Sequence, residues 1–203
     1  MQQPIRTLTL ANISKIQSEF DSSLAMLGES IRGKTGISLL ESLKREKVRV
    51  GPYPNVTLFE AANRIMSDLV ILHGVAGLLK SKTFPFDEYI VEFGNEDNNG
   101  FDIRASSPTA TLAGEAFNVA PSFFQGKKRT ALKKLREKAG QATYKIIMFN
   151  ADAPPANYMA RHEPNIYHVA VQIPSGTIVV EPDNALKTLI SLADPVETGL
   201  STE

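Results

Sequence analysis

The chain has 203 residues, 42% of them apolar, and its 22 basic and 22 acidic residues cancel to a formal net charge of zero. This length allows one sizeable domain, or a domain with an appended helical part, and zero net charge neither requires nor excludes a polyanionic partner. The absence of cysteine excludes disulfides, thiolate nucleophiles and cysteine-based zinc sites. The N-terminus lacks the features of a signal peptide, and no apolar run is long enough to span a bilayer, so a cytoplasmic protein is expected.

Two amphipathic helices are predicted at the start of the chain. Asn12 is placed as an N-cap, and apolar residues then recur at steps of three and four up to Ile31. A shorter helix is predicted from Ile37 to Lys47, after glycines that interrupt the pattern. Val48–Val56 contains a glycine and two prolines and is predicted to be an extended connector.

The centre of the chain predicts a long helix followed by three strands. Thr57 and Glu60 have the spacing of a capping box, and the apolar stripe of the helix continues to Leu79. Gly74 and Gly77 within it predict a close approach to a strand. Strands are predicted over Tyr89–Phe93, Phe101–Ala105 and Thr111–Ala120, with a polar turn over Asn95–Gly100 between the first two.

A basic helix and further strands are predicted after these. Pro121 begins the helix, Ser122 and Gln125 are placed as a capping box, and Gly140 ends it. The later predicted elements are a central strand over Tyr144–Asn150, a loop over Asp152–Pro164, a hairpin of Ile166–Ile173 and Thr177–Glu181, and a short helix from Asp183 to Leu192.

This order of elements predicts an α/β fold with a mixed sheet flanked by helices. Residues 1–47 are predicted to form an N-terminal helical accessory element or a dimerisation surface. Residues 48–193 are predicted to form the α/β core, and residues 194–203 a flexible tail.

Two acidic residues lie within the predicted strands of the sheet, and they are the first candidates for a functional site. Asp102 and Glu115 lie inside neighbouring predicted strands, which are less than about 5 Å apart. Two such acids can share one Mg²⁺, for which Mn²⁺ can substitute, because this ion prefers hard oxygen ligands and keeps several waters. The alternatives are two ordinary polar positions on a solvent-facing side of the sheet, or an ion pair of Asp102 with Arg104 or Lys145.

The segment Thr57–Asn150 resembles the core of the PD-(D/E)XK nuclease superfamily, the restriction-endonuclease-like αβββαβ fold. The first family acid stands on the second core strand and is matched by Asp102 in the run Gly-Phe-Asp-Ile. In the family, the second acid and a lysine stand two residues apart on the third strand. In this chain Glu115 occupies the position of that acid. Phe117 occupies the lysine position and cannot replace its chemistry.

The resemblance implies that the missing lysine comes from the following helix. Lys128 is the candidate, because it lies on the stripe expected to face the sheet, and its amine would position the attacking water or stabilise the negative transition state. Alternatively it snorkels on a helix flank, in which case the protein is an inactive member of the fold. Glu60 is the candidate for the acid that family members carry on the first core helix, although its capping role explains it without catalysis. Glu92 is a weaker option for that acid, and Gln125 either assists the site or only completes the cap.

The predicted helix around Lys127–Lys138 is strongly basic, with seven Lys or Arg residues among twelve. Such a face can bind phosphates with release of counterions, or it can simply be solvated. The residues predicted to contact nucleic acid are Lys127, Arg129, Lys133 and Arg161.

The resemblance implies a Mg²⁺-dependent endodeoxyribonuclease that cleaves double-stranded DNA, most like a type II restriction endonuclease and acting as a homodimer. One alternative is a catalytically inactive nuclease-fold protein that binds nucleic acid or a protein partner. Another is a structural or assembly protein in which both acids are incidental.

Overall fold

The computed structural model describes residues 6–50, 53–94 and 100–182. Most of the turn predicted over Asn95–Gly100 lies outside the described residues, as do the helix predicted from Asp183 to Leu192 and the tail 194–203. The helices are α1 (Ile13–Ser30), α2 (Gly36–Lys44), α3 (Leu58–Ser81) and α4 (Pro121–Lys138). The strands are β1 (Arg6–Thr9), β2 (Lys47–Val50), β3 (Tyr53–Thr57), β4 (Glu88–Val91), β5 (Ile103–Ser106), β6 (Thr111–Phe117), β7 (Tyr144–Asn150), β8 (Ile166–Gln172) and β9 (Thr177–Glu181).

The main sheet has seven strands in the order β1-β4-β5-β6-β7-β8-β9. Neighbours from β1 to β6 pair antiparallel, β6, β7 and β8 pair parallel, and β9 returns antiparallel to β8. Helix α3 packs against one face of this sheet and α4 against the other. The predicted α/β class with a mixed sheet flanked by helices is therefore confirmed.

Helix α3 is the central helix of the larger core. Its capping box is present as predicted, because the Glu60 backbone N–H donates to Thr57 Oγ1 (3.2 Å) and the Thr57 N–H donates to Glu60 Oε2 (2.9 Å). Its two glycines face the sheet, since a Cβ on Gly74 would lie 2.1 Å from Met148 Sδ and one on Gly77 would lie 2.6 Å from Ile178 Cγ2. The predicted close approach to strands is confirmed.

The apolar composition of α3 follows from this central position. By length and composition alone α3 could cross a membrane, contrary to the expectation from the sequence, but 61% of its apolar stretch is buried inside the fold. This is the pattern of a helix at the centre of a packed core.

The N-terminal part differs from the prediction in two strand assignments. Arg6–Thr9 forms β1, which pairs with β4 at one edge of the main sheet, and Leu8 and Ile13 are buried in the same core as α3. The predicted connector Val48–Val56 contains parts of β2 and β3, which form a separate antiparallel pair with a register irregularity after Val48. Its glycine and prolines predicted an unpaired connector, but they did not prevent pairing of the residues on either side.

Asn12 is the N-cap residue of α1 as predicted but lacks a capping bond, and the N-cap predicted for α4 is wrong. Asn12 makes no capping bond to α1, because its Oδ1 accepts from the Thr9 backbone N–H (2.9 Å). Helix α4 begins one residue before Ser122, with Ala120 as the N-cap and no side-chain cap. Pro121 is the first helical residue, where its missing N–H costs no hydrogen bond.

Candidate active site

The structure brings Asp102 and Glu115 together at the point where β5 begins. The last paired residues at this end are Ile103 and Gly114, so Asp102 directly precedes β5 and Glu115 is the next residue of β6 beyond the paired register. The Asp102 carboxylate accepts a hydrogen bond from the Ala116 backbone N–H at 2.7 Å. That bond holds one carboxylate against the residue that directly follows the other.

An amine from α4 lies in contact with this pair of acids. Lys134 Nζ is 2.7 Å from Glu115 Oε1, and the side chains are 29% and 12% exposed. The same amine lies 5.7 Å from the centre of the Phe101 ring, the residue before Asp102. Both charges of this ion pair are poorly exposed to water. Removing one of them would leave the other without a partner and poorly hydrated, which is energetically costly.

The amine beside Glu115 is therefore that of Lys134 and not that of Lys128. Six residues separate the two along α4, which is a rotation of about 240° at 3.6 residues per turn, so they leave the helix in different directions. Lys128 Nζ lies 4.9 Å from the centre of the Tyr158 ring and 5.7 Å from that of Phe124. Burial lowers the pKa of its ammonium group, and Glu163 opposes this shift.

Phe117, at the position of the family lysine, has a structural role. Its side chain is 7% exposed and stacks on Phe149 with ring centres 6.0 Å apart. Phe124 of α4 packs on both rings. This aromatic cluster fills the space under the start of α4, so no charged side chain could occupy that position without being buried.

Glu60 is exposed at the start of α3 and makes the two capping hydrogen bonds. The acid of α3 that lies near Asp102 is Asp68, which is 2% exposed. Its carboxylate accepts from the Gly94 backbone N–H (2.9 and 3.0 Å) and from the Tyr53 hydroxyl. Burial raises the pKa of Asp68 to about 7, and the negative charge of Asp102 contributes to the increase.

Sequence reasoning missed Asp68, although a signal was available. It directly precedes Leu69 in the apolar stripe of α3, where an acid has no structural use unless it is paired. Glu92 is a further buried acid at this place, and its backbone N–H donates to the Asp102 carbonyl at 3.0 Å. Its Oε1 atom has no hydrogen-bond partner among the residues that the structure describes.

Asn150 is a second residue that sequence reasoning missed. Its side chain is buried at the end of β7 and clamps the chain that follows β6: the Val119 N–H donates to Asn150 Oδ1 (2.9 Å), and Asn150 Nδ2 donates to the Val119 carbonyl (3.0 Å). The clamp fixes the connection from the strand of Glu115 to the helix of Lys134. An asparagine at the end of an apolar strand was the available signal.

The oxygen ligands at this place limit which metal ion could bind there. Within residues 6–50, 53–94 and 100–182, no group of three or more His, Asp or Glu side chains is arranged to hold an ion. The pair Asp102 and Glu115 offers two hard oxygen ligands. It fits Mg²⁺ bound by one or two carboxylates with water completing its coordination, and it does not fit an ion that requires a full cage of protein ligands.

The predicted nucleic-acid-binding residues are all exposed. Lys127, Arg129 and Lys133 lie on α4, and Arg161 lies in the loop before β8. Lys133 makes an ion pair with Glu137 one turn later (3.8 Å). Gln125 is also exposed, and it makes no cap, since α4 has no side-chain capping bond.

No protein-family model matches this chain, and no curated protein is similar to it.

Proposed function

We propose that this protein is a Mg²⁺-dependent endonuclease that hydrolyses phosphodiester bonds of double-stranded DNA, with a restriction-endonuclease-like core. The order α3, three antiparallel strands, α4 and a parallel strand supports the core assignment. The observation that carries the proposal is the contact of Lys134 with Glu115 beside Asp102. Two acids on paired strands and an amine from the next helix are the parts that metal-assisted hydrolysis of a phosphodiester requires.

Asp102 and Glu115 are the residues that would hold the ion. When bound, Mg²⁺ would lower the pKa of a coordinated water and offset the charge that grows on the phosphoryl group. The Ala116 N–H holds the Asp102 carboxylate beside the backbone of the residue that follows Glu115. Lys134 neutralises Glu115 without the ion, and with substrate its ammonium group would stabilise the phosphate oxygen that gains negative charge.

Asp68 would act as a positioning residue. Its bonds to Gly94 and Tyr53 hold the residues after β4, and strand β3, against α3. The exposed basic residues of α4, with Arg161, would bind the DNA backbone. A homodimer would present two such sites to the two strands, as for a type II restriction endonuclease.

The test is cleavage of plasmid DNA with Mg²⁺ by the wild-type protein and by Glu115→Gln. We expect cutting by the wild type and a loss of about a hundredfold or more in the variant, because the ligand charge is removed. Glu137→Gln is the matched control, since it makes the same chemical change on an exposed turn of α4. Equal cutting by wild type and Glu115→Gln, or no cutting of any substrate by the wild type, would refute the proposal.

A catalytically inactive nuclease-fold protein that binds nucleic acid is the second candidate. Lys134 already neutralises Glu115, and Phe117 fills the family lysine position, which favours this reading. It predicts DNA binding that weakens steeply with salt and is unchanged by EDTA. A dependence of binding on Mn²⁺ or Mg²⁺ that disappears in Glu115→Gln would exclude it.

A further inference from the structure

The outer side of β9 is an edge of the main sheet. β9 is the last strand in the sheet order, and within residues 6–50, 53–94 and 100–182 no strand pairs with its outer side. Alternate residues of an antiparallel strand direct their backbone N–H and C=O groups away from the neighbouring strand. A row of such groups is a template on which a further strand can pair.

The sequence of β9 favours such pairing. Its residues are Thr-Ile-Val-Val-Glu, which include neither the lysine nor the proline that commonly protects a sheet edge. Its pairing with β8 runs over all five residues without a bulge. Val179, the central residue, is 51% exposed. Pro182 follows directly and has no N–H to donate, which limits a new pairing to these five residues.

The opposite edge of the sheet is of the protected type. β1 has only four residues and begins with Arg6, whose guanidinium group lies 5.4 Å from the centre of the Phe93 ring. Helix α1 begins at Ile13, soon after β1 ends. Short length and a charged residue are features that discourage pairing at an edge. β9 is therefore the edge that is suited to a further strand.

We propose that β9 pairs antiparallel with β9 of a second copy of this chain. The register that uses all five residues places Val179 opposite its own equivalent, Ile178 opposite Val180, and Thr177 opposite Glu181. Apolar side chains then face apolar side chains, and each carboxylate faces a hydroxyl group rather than another carboxylate. A strand that matches itself in this way forms an isologous contact, which closes as a dimer.

This pairing would place both candidate active sites on one face of a continuous sheet. The two-fold axis between two antiparallel strands is perpendicular to the sheet, so α4 of both copies would lie on the same side. From β6 of one copy to β6 of the other there are seven strand spacings, roughly 34 Å. That is about one turn of duplex DNA. This consequence rests on the proposed nuclease function, whereas the pairing of β9 does not.

The test is sedimentation velocity of the whole chain in EDTA, without DNA, from micromolar to sub-millimolar concentration. We expect a dimer, and Val179→Lys and Val179→Glu should each weaken its association about tenfold or more, because like charges then face each other. An equimolar mixture of the two variants should restore the dimer, which also shows that both are folded. Ile37→Lys is the matched control, since it adds the same charge at a 76% exposed apolar residue of α2 and should change nothing.

Cross-linking tests the register of the two strands. The chain has no cysteine, so Val179→Cys introduces a single thiol. Mild oxidation should link two copies through this thiol, because the two side chains face each other across the two-fold axis. Thr177→Cys is the control within the same strand and should not form such a link, since its equivalent lies four residues away along the partner strand.

A wild type that stays monomeric over this range would overturn the proposal, as would association that Val179→Lys leaves unchanged or that the mixture fails to restore. Dissociation by Ile37→Lys instead would overturn it and assign the dimer contact to α2. Because neither DNA nor a divalent ion is present, a protein that dimerises through β9 but does not cleave DNA would refute the proposed hydrolysis alone. Cleavage by a monomer would refute the proposed pairing alone.

Discussion

At the scale of single residues, the direction in which each lysine leaves α4 decides its role. Lys128 and Lys134 are both partly covered lysines of the same helix, yet one packs against Tyr158 and the other contacts Glu115. Partial burial identifies neither role, because a long side chain can cover apolar surface and still reach a charge. Only the contact between Lys134 and an acid beside Asp102 distinguishes the two.

If the proposed hydrolysis is right, Lys134→Met should lower the rate of plasmid cleavage about a hundredfold, because it removes the amine that is proposed to stabilise the phosphate. Its affinity for Mn²⁺, measured by calorimetry, should not weaken, since a cation that competes for Glu115 is lost. Lys128→Met is the matched control and should keep most of the cleavage activity. The opposite ranking of the two variants would transfer the catalytic amine to Lys128.

Asp68 should give folding stability a recognisable dependence on pH. Because its folded pKa of about 7 lies above its ordinary value of 3.8, the folded state binds more protons than the unfolded state between these values. Stability should therefore fall as pH rises through this window, by at most about 1.4 kcal/mol per pH unit. Asp68→Asn should lack this component when urea unfolding is measured at pH 5 and pH 8 in EDTA.

Because His168 also changes its protonation on unfolding in this pH range, the effect of Asp68 is measured as the difference in stability between the wild type and Asp68→Asn. The folded pKa of His168, about 4, lies below the ordinary 6.5, so its contribution is lost as pH falls through the same range and opposes that of Asp68. Subtracting the Asp68→Asn curve from the wild-type curve removes the His168 contribution. A difference that is constant between pH 5 and pH 8 would contradict the raised pKa of Asp68.

At the scale of elements, β6 connects the core to the candidate site. Its residues alternate between the two faces of the sheet: Leu112 belongs to the core under α3, whereas Ala113 and Phe117 pack under α4. Glu115 shares the α4 side and meets Lys134 there. The position of its carboxylate therefore depends on how closely β6 packs between β5 and β7.

Gly114→Ala should destabilise the protein by about 1–3 kcal/mol through overpacking. A Cβ at this position would lie 2.5 Å from Ile146 Cγ1 and 3.2 Å from Ile103 Cβ, which are fully buried residues of the neighbouring strands. Gly126→Ala on α4 is the control, because its Cβ would meet no atom within 4 Å. It should stabilise the helix by up to about 1 kcal/mol. Urea midpoints that shift in the same direction for both variants would contradict this account.

At the scale of the whole molecule, zero net charge conceals a segregation of charge. Seven basic residues lie between Lys127 and Lys138, whereas α1 carries mixed charges such as the Lys15 and Glu19 pair (3.9 Å). A polyanion would be attracted to one side of the protein despite the neutral total. The Arg136 guanidinium is already engaged in a two-pronged pair with Glu163 (2.7 and 3.1 Å), so not every basic residue of α4 serves that surface in the same way.

Lys127→Ala should weaken DNA binding and reduce the slope of log affinity against log salt by about 0.9, the value for one phosphate contact on duplex DNA. Lys15→Ala, which removes an exposed lysine of α1, should leave both quantities unchanged. Fluorescence anisotropy with a duplex over a range of salt concentrations measures both. Equal effects of the two substitutions would show that the basic face of α4 is only a solvated surface.

Local signals in the sequence determined the type of most elements. The capping box at Thr57 and the apolar stripe after it were sufficient for α3, because helix periodicity and cap chemistry act within a few residues. The alternating pattern of Thr111–Ala120 likewise predicted β6, which ends at Phe117, three residues earlier than predicted, and the order of elements predicted the α/β class. The pairing of the strands that carry Glu115 and follow Asp102 was also predictable, since consecutive strands with a short connection pair as neighbours.

Only the tertiary structure decided which side chains meet across elements. The strand β1 escaped prediction because its pairing with β4 joins residues about eighty positions apart. The contact of Lys134 with Glu115 depends on the rotation and tilt of α4 over the sheet, which a residue pattern along the helix does not specify. Asp68, buried between Tyr53 and Gly94, depends on three segments that are distant in sequence. Propensities and caps are local, whereas a site is built from long-range contacts that the packing of the core selects.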